Sequence, residues 1–336
     1  MDVRIPAGKS NKPPKPDTFG MTAYGGEGWS PRLLEHRHEL GSIWAACGIE
    51  NEWAPLKSVL LHRPGSELAA SADNYNAVQM LAPLDIGRAQ AQHDQIAEAY
   101  RQQGVAVHYV RPDGAGNPNQ MFCADLMVMT PHGAILARPA STVRAGEERW
   151  VARRLSDLGI PIIGIMTGSA TFEGADLMWL SPSIVMIGRG LRTNQAAIDQ
   201  ITSMLSHHKV TVQAFDMPFG TMHFMGMVRI VGRDLAVAWP RRAPHGAVEL
   251  LRANGYEVIF PPDLEELRQG HAFNIVTLRN RVILMAAANP NTQAFYASHG
   301  VECLTATVDE LGKASGAVGC LTGILHRQSL TDDAEN

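Results

Sequence analysis

Residues 173–215 read EGADLMWLSPSIVMIGRGLRTNQAAIDQITSMLSHHKVTVQAF, and the succession of patterns within them decides the fold. Two apolar runs, Asp176–Leu180 and Ile184–Gly188, flank a short turn and read as a β-hairpin. Ala197, Ile201 and Leu205 then fall on one helical face. A polar break at His208 precedes a third apolar run, Val210–Phe215. The unit is ββαβ.

The same unit recurs on both sides. Further paired runs are Asp125–Thr130 with Ala134–Pro139, Met227–Val231 with Leu235–Pro240, and Asn274–Leu278 with Val282–Ala286. In the second unit Val151, Leu155 and Leu158 stand at i, i+4 and i+7. The third runs Val105–Val110, Ile160–Ile165, Tyr256–Phe260 and Val301–Thr305 follow Gly104, Gly159, Gly255 and Gly300, the residue type expected in a left-handed helix cap. The five breaks, at 104, 159, 208, 255 and 300, are spaced by 55, 49, 47 and 45 residues, so five units are expected. The first unit has one strong initial strand, Lys57–Arg63, and Leu321–Arg327 is left over at the far end to partner it. An open array would expose an edge at each end, whereas a ring would not. The pattern predicts an α/β fold, a five-bladed ββαβ propeller with pseudo-fivefold symmetry. It spans 21–330 as a single domain, preceded by a disordered arm over 1–20. A short helix within Pro31–Cys47 is also expected.

Composition narrows the function. A formal net charge of −4 provides no basic footprint, so nucleic acid is not an expected partner. No run approaches the ~20 apolar residues of a membrane span. The first twenty residues lack the apolar core of a secretory signal. Cys47, Cys123, Cys303 and Cys320 show neither C-x-x-C spacing nor a disulfide framework, which points to a reducing cytoplasm. The histidines lack zinc-type spacing, and neither a Walker A motif nor a G-x-G-x-x-G after a strand occurs, so no metal and no organic cofactor are expected. A homo-oligomer is compatible with the sequence.

Chemistry-bearing residues recur with the repeat. The second unit opens Asn119-x-x-Phe122-x-x-Asp125, and Arg144 follows Asp125 by nineteen residues. The third opens Glu173-Gly174-Ala175-Asp176, and Arg192 follows Glu173 by the same nineteen, within Arg192-Thr193-Asn194. Solvated turn charges and helix caps would explain any one of these residues; the repeated offset weakens that explanation. His223 opens the fourth unit in the place of those acids. Near the end, Gly316-Ala317-Val318-Gly319-Cys320-Leu321-Thr322-Gly323 sets a cysteine among glycines, directly before the closing strand. In a ring these positions share one mouth. A thiol, a histidine and carboxylates there are the parts of covalent catalysis with acid–base help.

As an ordered set, these motifs resemble the guanidino-group-modifying superfamily, the penteins, from about Pro55 to Arg327. Its members include dimethylarginine dimethylaminohydrolase, arginine deiminase and the amidinotransferases. The resemblance implies a five-bladed propeller, and a cysteine-dependent hydrolase acting on arginine or an N-substituted arginine-like amino acid. Alternatives are an amidinotransferase and a non-catalytic binder of guanidino ligands. By the same resemblance Cys320 is the nucleophile, His223 the general acid and base, and Glu173 the residue that holds the guanidinium and orients the histidine. Asp125 binds guanidinium nitrogens with Asn119 nearby, and Arg144 and Arg192 bind the substrate carboxylate. Two positions depart from the pattern: Met225 stands where many members carry aspartate, and Gly319 where many carry histidine. An apolar Met225 wall would suit a substituted nitrogen. The segment Gly65–Asp85 is a candidate lid.

Overall fold

The computed structural model describes residues 18–114 and 116–330. Most of the expected arm, residues 1–17, lies outside that range. The described residues up to Glu39 form one unit and those from Leu40 onward another. Within Pro31–Cys47 the regular element is a short 3-10 helix, His36–Glu39, so the helix expected there is one turn of the tighter kind.

From Leu40 onward the chain is α/β. Strand β1 (Leu56–Leu61) leads through helices α1 (Ala70–Asn74) and α2 (Ile86–Gln102) to β2 (Ala106–Tyr109). Then come β3 (Met127–Thr130), β4 (Gly133–Leu136), α3 (Glu147–Asp157) and β5 (Ile162–Ile165). The unit read first supplies β6 (Leu177–Ser181), β7 (Ile184–Arg189), α4 (Gln195–Ser206) and β8 (Thr211–Asp216). The next is β9 (Val228–Ile230), β10 (Leu235–Ala238), α5 (His245–Ala253) and β11 (Glu257–Ile259), followed by a short α6 (Leu264–Arg268). Strands β12 (Val276–Arg279) and β13 (Val282–Ala286), helix α7 (Pro290–Ser298) and β14 (Glu302–Ala306) make the fifth. A one-turn helix α8 (Val318–Leu321) delivers β15 (Gly323–Arg327).

Among the described residues the strands form five three-stranded sheets. In each, the middle strand is antiparallel to the first and parallel to the third: β3-β4-β5, β6-β7-β8, β9-β10-β11 and β12-β13-β14. The remaining sheet, β15-β1-β2, is made from both ends of the chain, with Leu60 opposite Gly323 and Val59 opposite Ile324. The left-over run therefore does partner the first strand. Parallel pairing needs a crossover connection, and the helix of each unit supplies it. Val151, Leu155, Ala197, Ile201 and Leu205 are all buried, as their spacing requires.

Gly104, Gly159, Gly255 and Gly300 all have positive φ, the left-handed cap conformation. In the third unit that conformation falls on Lys209, φ 59°, one residue after the His208 break. Beyond β4 and β7 the inner apolar surface is continuous: Leu60, Cys123, Met129, Ile135, Trp179, Ile187 and Leu325 belong to one buried cluster. Trp179 keeps its indole N–H satisfied by donating to the Met129 carbonyl, 3.0 Å away.

Candidate active site

Each first strand is entered through a tight turn, and the turns carry the polar residues. The 3-10 turn Cys123–Asp125 precedes β3, Gly174–Asp176 precedes β6, and Phe224–Gly226 precedes β9. Asn274 stands just before β12, and Cys320 lies in α8 before β15. The turns before β3 and β6, those before β6 and β9, and α8 with the turn before β3 are in contact. Gly174 permits one of these approaches, since a Cβ there would stand 2.6 Å from the Ala124 carbonyl oxygen and closer still to that of Met127.

A pocket of about 30 Å³ opens among them, lined by Asn119, Asp125, Arg144, Arg192, His223 and Cys320 together with Gln79, Met222 and Ser315. Six of the seven residues singled out from the sequence thus line one pocket. The seventh, Glu173, is fully buried behind His223 and hydrogen-bonded to its Nε2 at 2.6 Å through Oε2.

Charges in the pocket are tightly paired. Arg144 Nη1 donates to Asp125 Oδ2 at 2.6 Å and lies 3.5 Å from Glu173 Oε2, while its Nε donates to Glu147 at 2.9 Å. Arg192 Nη1 donates to Glu173 Oε1 at 3.2 Å. Both arginines expected to meet a substrate carboxylate therefore sit on the acids expected to meet the guanidinium. Asp125 Oδ1 is buried without a hydrogen-bond partner among the described residues, 3.8 Å from His223 Nε2. Burial alone would push the His223 imidazolium down; Asp125, the Glu173 hydrogen bond and Asp176 outweigh it and hold the ring's pKa above the ordinary histidine value. Glu173 is correspondingly held below the usual carboxylate range: burial opposes its charge, but His223, Arg144 and Arg192 prevail.

Asp176 is the bracket of the site. Its Oδ1 accepts from the Phe224 backbone N–H at 2.8 Å and its Oδ2 from the Thr193 hydroxyl at 2.6 Å. It so ties the residue after His223 and the residue after Arg192 to one turn.

Cys320 is gripped by Asn274, a residue the sequence reading named only as a strand start. Asn274 Nδ2 donates to Cys320 Sγ at 2.9 Å, and Asn274 Oδ1 accepts from the Cys320 backbone N–H at 3.1 Å. Its position offered the missed signal, because it enters the fifth unit where Asp125, Glu173 and His223 enter theirs. Burial pushes the Cys320 thiol up and Asp125 adds to this; the Asn274 hydrogen bond, Arg229 and the backbone at Ala317 oppose them without cancelling them. Cys123, by contrast, is fully buried, and its thiol is pushed far up by burial, consistent with a structural place.

Other expectations shift. Asn119 Nδ2 donates to the Val78 carbonyl at 2.9 Å, so it fastens the Gly65–Asp85 segment, whose Gln79 reaches the pocket. Met225 does not wall this pocket. It lines a second cavity with Glu52, Arg229 and Arg327, and Met222 takes the wall. Residues two apart share a face in a strand, but the chain turns into a 3-10 helix right after His223. Asp125, Glu173 and His223 do bring three ligand-type atoms within 4.8 Å of one another. The Arg144 guanidinium, 2.6 Å from Asp125, puts a positive charge where a cation would bind and works against one.

Residues 67–327 match the model of the eukaryotic N,N dimethylarginine dimethylhydrolase family. The N(G),N(G)-dimethylarginine dimethylaminohydrolase of Mycobacterium tuberculosis is 27% identical over 253 residues, 74% of this chain and 80% of that protein. An arginine deiminase of Mycolicibacterium gilvum is 21% identical, over 83% of this chain and 97% of its own. Among solved structures, DDAH of Pseudomonas aeruginosa complexed with citrulline superposes with a TM-score of 0.68 at 20% identity, covering 82% of this chain and 100% of that one. SxtG, an amidinotransferase from Microseira wollei, does so with a TM-score of 0.67 at 13% identity, covering 84% and 98%. Among the described residues no helix is long and apolar enough to cross a membrane.

Proposed function

Because the chain belongs to the N,N dimethylarginine dimethylhydrolase family of the pentein superfamily, we propose that it hydrolyses a guanidinium C–N bond of arginine or an N-substituted arginine-like amino acid through Cys320. The five ββαβ sheets are read as the blades of a propeller whose axis carries the site. The observation that carries the reading is the meeting in one pocket of a clamped thiol, a histidine held toward its charged form by Asp125 and Glu173, and a carboxylate oxygen, Asp125 Oδ1, with no partner of its own among the described residues.

The substrate guanidinium takes Asp125 Oδ1, and its carboxylate draws Arg192, and then Arg144, away from the acids they occupy. In the free protein the thiol is biased toward its neutral form. A cation docked beside it favours the thiolate by direct charge interaction. Sγ attacks the central guanidinium carbon, and the tetrahedral centre collapses as His223 protonates the departing amine. The amidino-thioether that remains is attacked by water, which gives its proton to the now neutral His223; the C–S bond breaks and leaves a ureido product and the thiolate. The thiol proton is lost to solvent as the cation docks, His223 then gives one proton to the amine and takes one from the water, and the proton left on the ureido oxygen passes to the released amine; Glu173 keeps the ring oriented.

An amidinotransferase would share each step up to the thioether and pass the amidino group to an amine. Guanidino compounds are therefore to be assayed with and without an amine acceptor, for ureido product and released amine. Amine-independent ureido product is expected, and Cys320→Ser should abolish it while a Cys123 variant retains substantial activity. Turnover surviving in Cys320→Ser would sink the covalent scheme. A protein forming no adduct on Cys320 with arginine analogues, read by intact mass, would be a binder instead.

A further inference from the structure

One half-buried cation has no part in the scheme above. Arg229 lies on β9, six residues after His223, and lines not the candidate pocket but the second cavity, of about 40 Å³, shared with Glu52, Met225, Gly319, Thr322 and Arg327. Its Nε and Nη2 are inaccessible to solvent and have no hydrogen-bond partner among the described residues. Leaving a guanidinium so placed is costly unless an opposite charge stands nearby.

The charges around that cavity do not balance. Arg229 and Arg327 are two cations against the single carboxylate of Glu52. Arg327 is held by the Ala54 and Thr277 carbonyls, each 2.8 Å from it, and Glu52 accepts from the Trp179 backbone N–H at 2.9 Å. One positive charge remains, and it is next to the nucleophile. A Cβ on Gly319 would collide with Arg229 Nη2, and would stand 2.8 Å from Asn274 Oδ1 and 2.9 Å from the Ile275 carbonyl. The guanidinium thus occupies the volume of a side chain at 319, beside the same asparagine that holds Cys320 Sγ.

We propose that Arg229 is the fixed counter-charge of the Cys320 thiolate, a positioning residue that approaches the nucleophile from behind through the space Gly319 leaves. This rests on Cys320 being the nucleophile of the proposed function. From the mouth, Cys320 faces Asp125, His223, Arg144 and Arg192; from behind, Asn274 and Arg229. The mouth-side cations are already paired with Asp125 and Glu173. Arg229 is the group whose charge is free to answer the sulfur; burial pushes its guanidinium down, and of the charged groups that oppose this Cys320 does most, ahead of Glu52.

The test is the pH dependence of Cys320 alkylation by iodoacetamide, with peptide masses separating it from Cys47, Cys123 and Cys303. In Arg229→Met the alkylation midpoint should rise by about 1–3 units, the effect of removing a nearby opposite charge. Arg229→Lys should stay near the parent protein. Where the methionine variant fails to fold, Arg229→Gln, which keeps polar ends but no charge, carries the same expectation. An unchanged midpoint in folded Met or Gln variants would overturn the proposal. So would a lysine variant that behaves like the methionine one, since packing and not charge would then be at work. Alkylation needs no guanidino substrate, so its outcome is separate from the assay of ureido product: a protein without turnover could still show the Arg229 shift, and one with full turnover could lack it.

Discussion

At the scale of single residues, Asp125 and the 2.6 Å hydrogen bond from Glu173 hold the His223 ring toward its charged form. The imidazolium's folded pKa lies above its ordinary value of about 6.5. Its contribution to stability is therefore full below that ordinary value and is lost as pH rises through the folded one. The protonated ring is also the proposed acid for amine departure, so the alkaline limb of kcat/KM should lie above neutrality. In Glu173→Gln the ring loses a charged partner but keeps Asp125. The alkaline limb should then fall by about 1 unit, the low end of what a nearby charge contributes. A limb that stays in place would mean that His223 is not the titrating acid.

At the scale of elements, the candidate site is built from the turns that enter first strands, and a turn's conformation decides which side chain meets the pocket. The 3-10 turn after His223 sends Met225 into the cavity shared with Arg229, and Met222 walls the candidate pocket. Met222→Asp should accordingly shift the kcat/KM ratio of methylated to plain arginine toward plain arginine on the order of tenfold, because a charged hydrogen bond worth about 1.5–3 kcal/mol is regained only when an unsubstituted nitrogen donates it. Met225→Asp places its carboxylate beside Arg229 and should leave that ratio unchanged. The measurement is the same ratio in both variants, and a shift confined to Met225→Asp would return the specificity wall to Met225.

At the scale of the whole molecule, Cys320, the proposed nucleophile, is held in place by the pairing of the last strand with the first. Cys320 directly precedes β15, which pairs with β1, and Leu325 is fully buried in the same apolar cluster as Leu60. Leu325→Ala should cost about 2–5 kcal/mol of stability through lost burial and the cavity left behind. The denaturant midpoint should fall, and ureido-product formation should vanish along the same curve as far-UV structure. Activity lost well before the structure would show that β15 can loosen from β1 without unfolding the rest.

The sequence by itself determined the five ββαβ units, the partnering of the last run with the first strand, and the cluster of acids, histidine and thiol. Period-2 and period-3.6 apolar patterns survive in any chain that must bury one face of each element, and the equal offsets of Asp125–Arg144 and Glu173–Arg192 put function in register with that pattern. Asn274 was in the same register, but an asparagine between apolar runs is also ordinary turn chemistry, and only the 2.9 Å approach to Cys320 Sγ separates the two. The tertiary structure alone decided three further matters: that Arg144 and Arg192 rest on the acids, that Met222 and not Met225 faces the pocket, and that Arg229 stands behind Cys320. The first and the last depend on side chains brought together from different units, where charge and volume are settled by distances across the fold that a single sequence does not record, and the second on the 3-10 turn that follows His223.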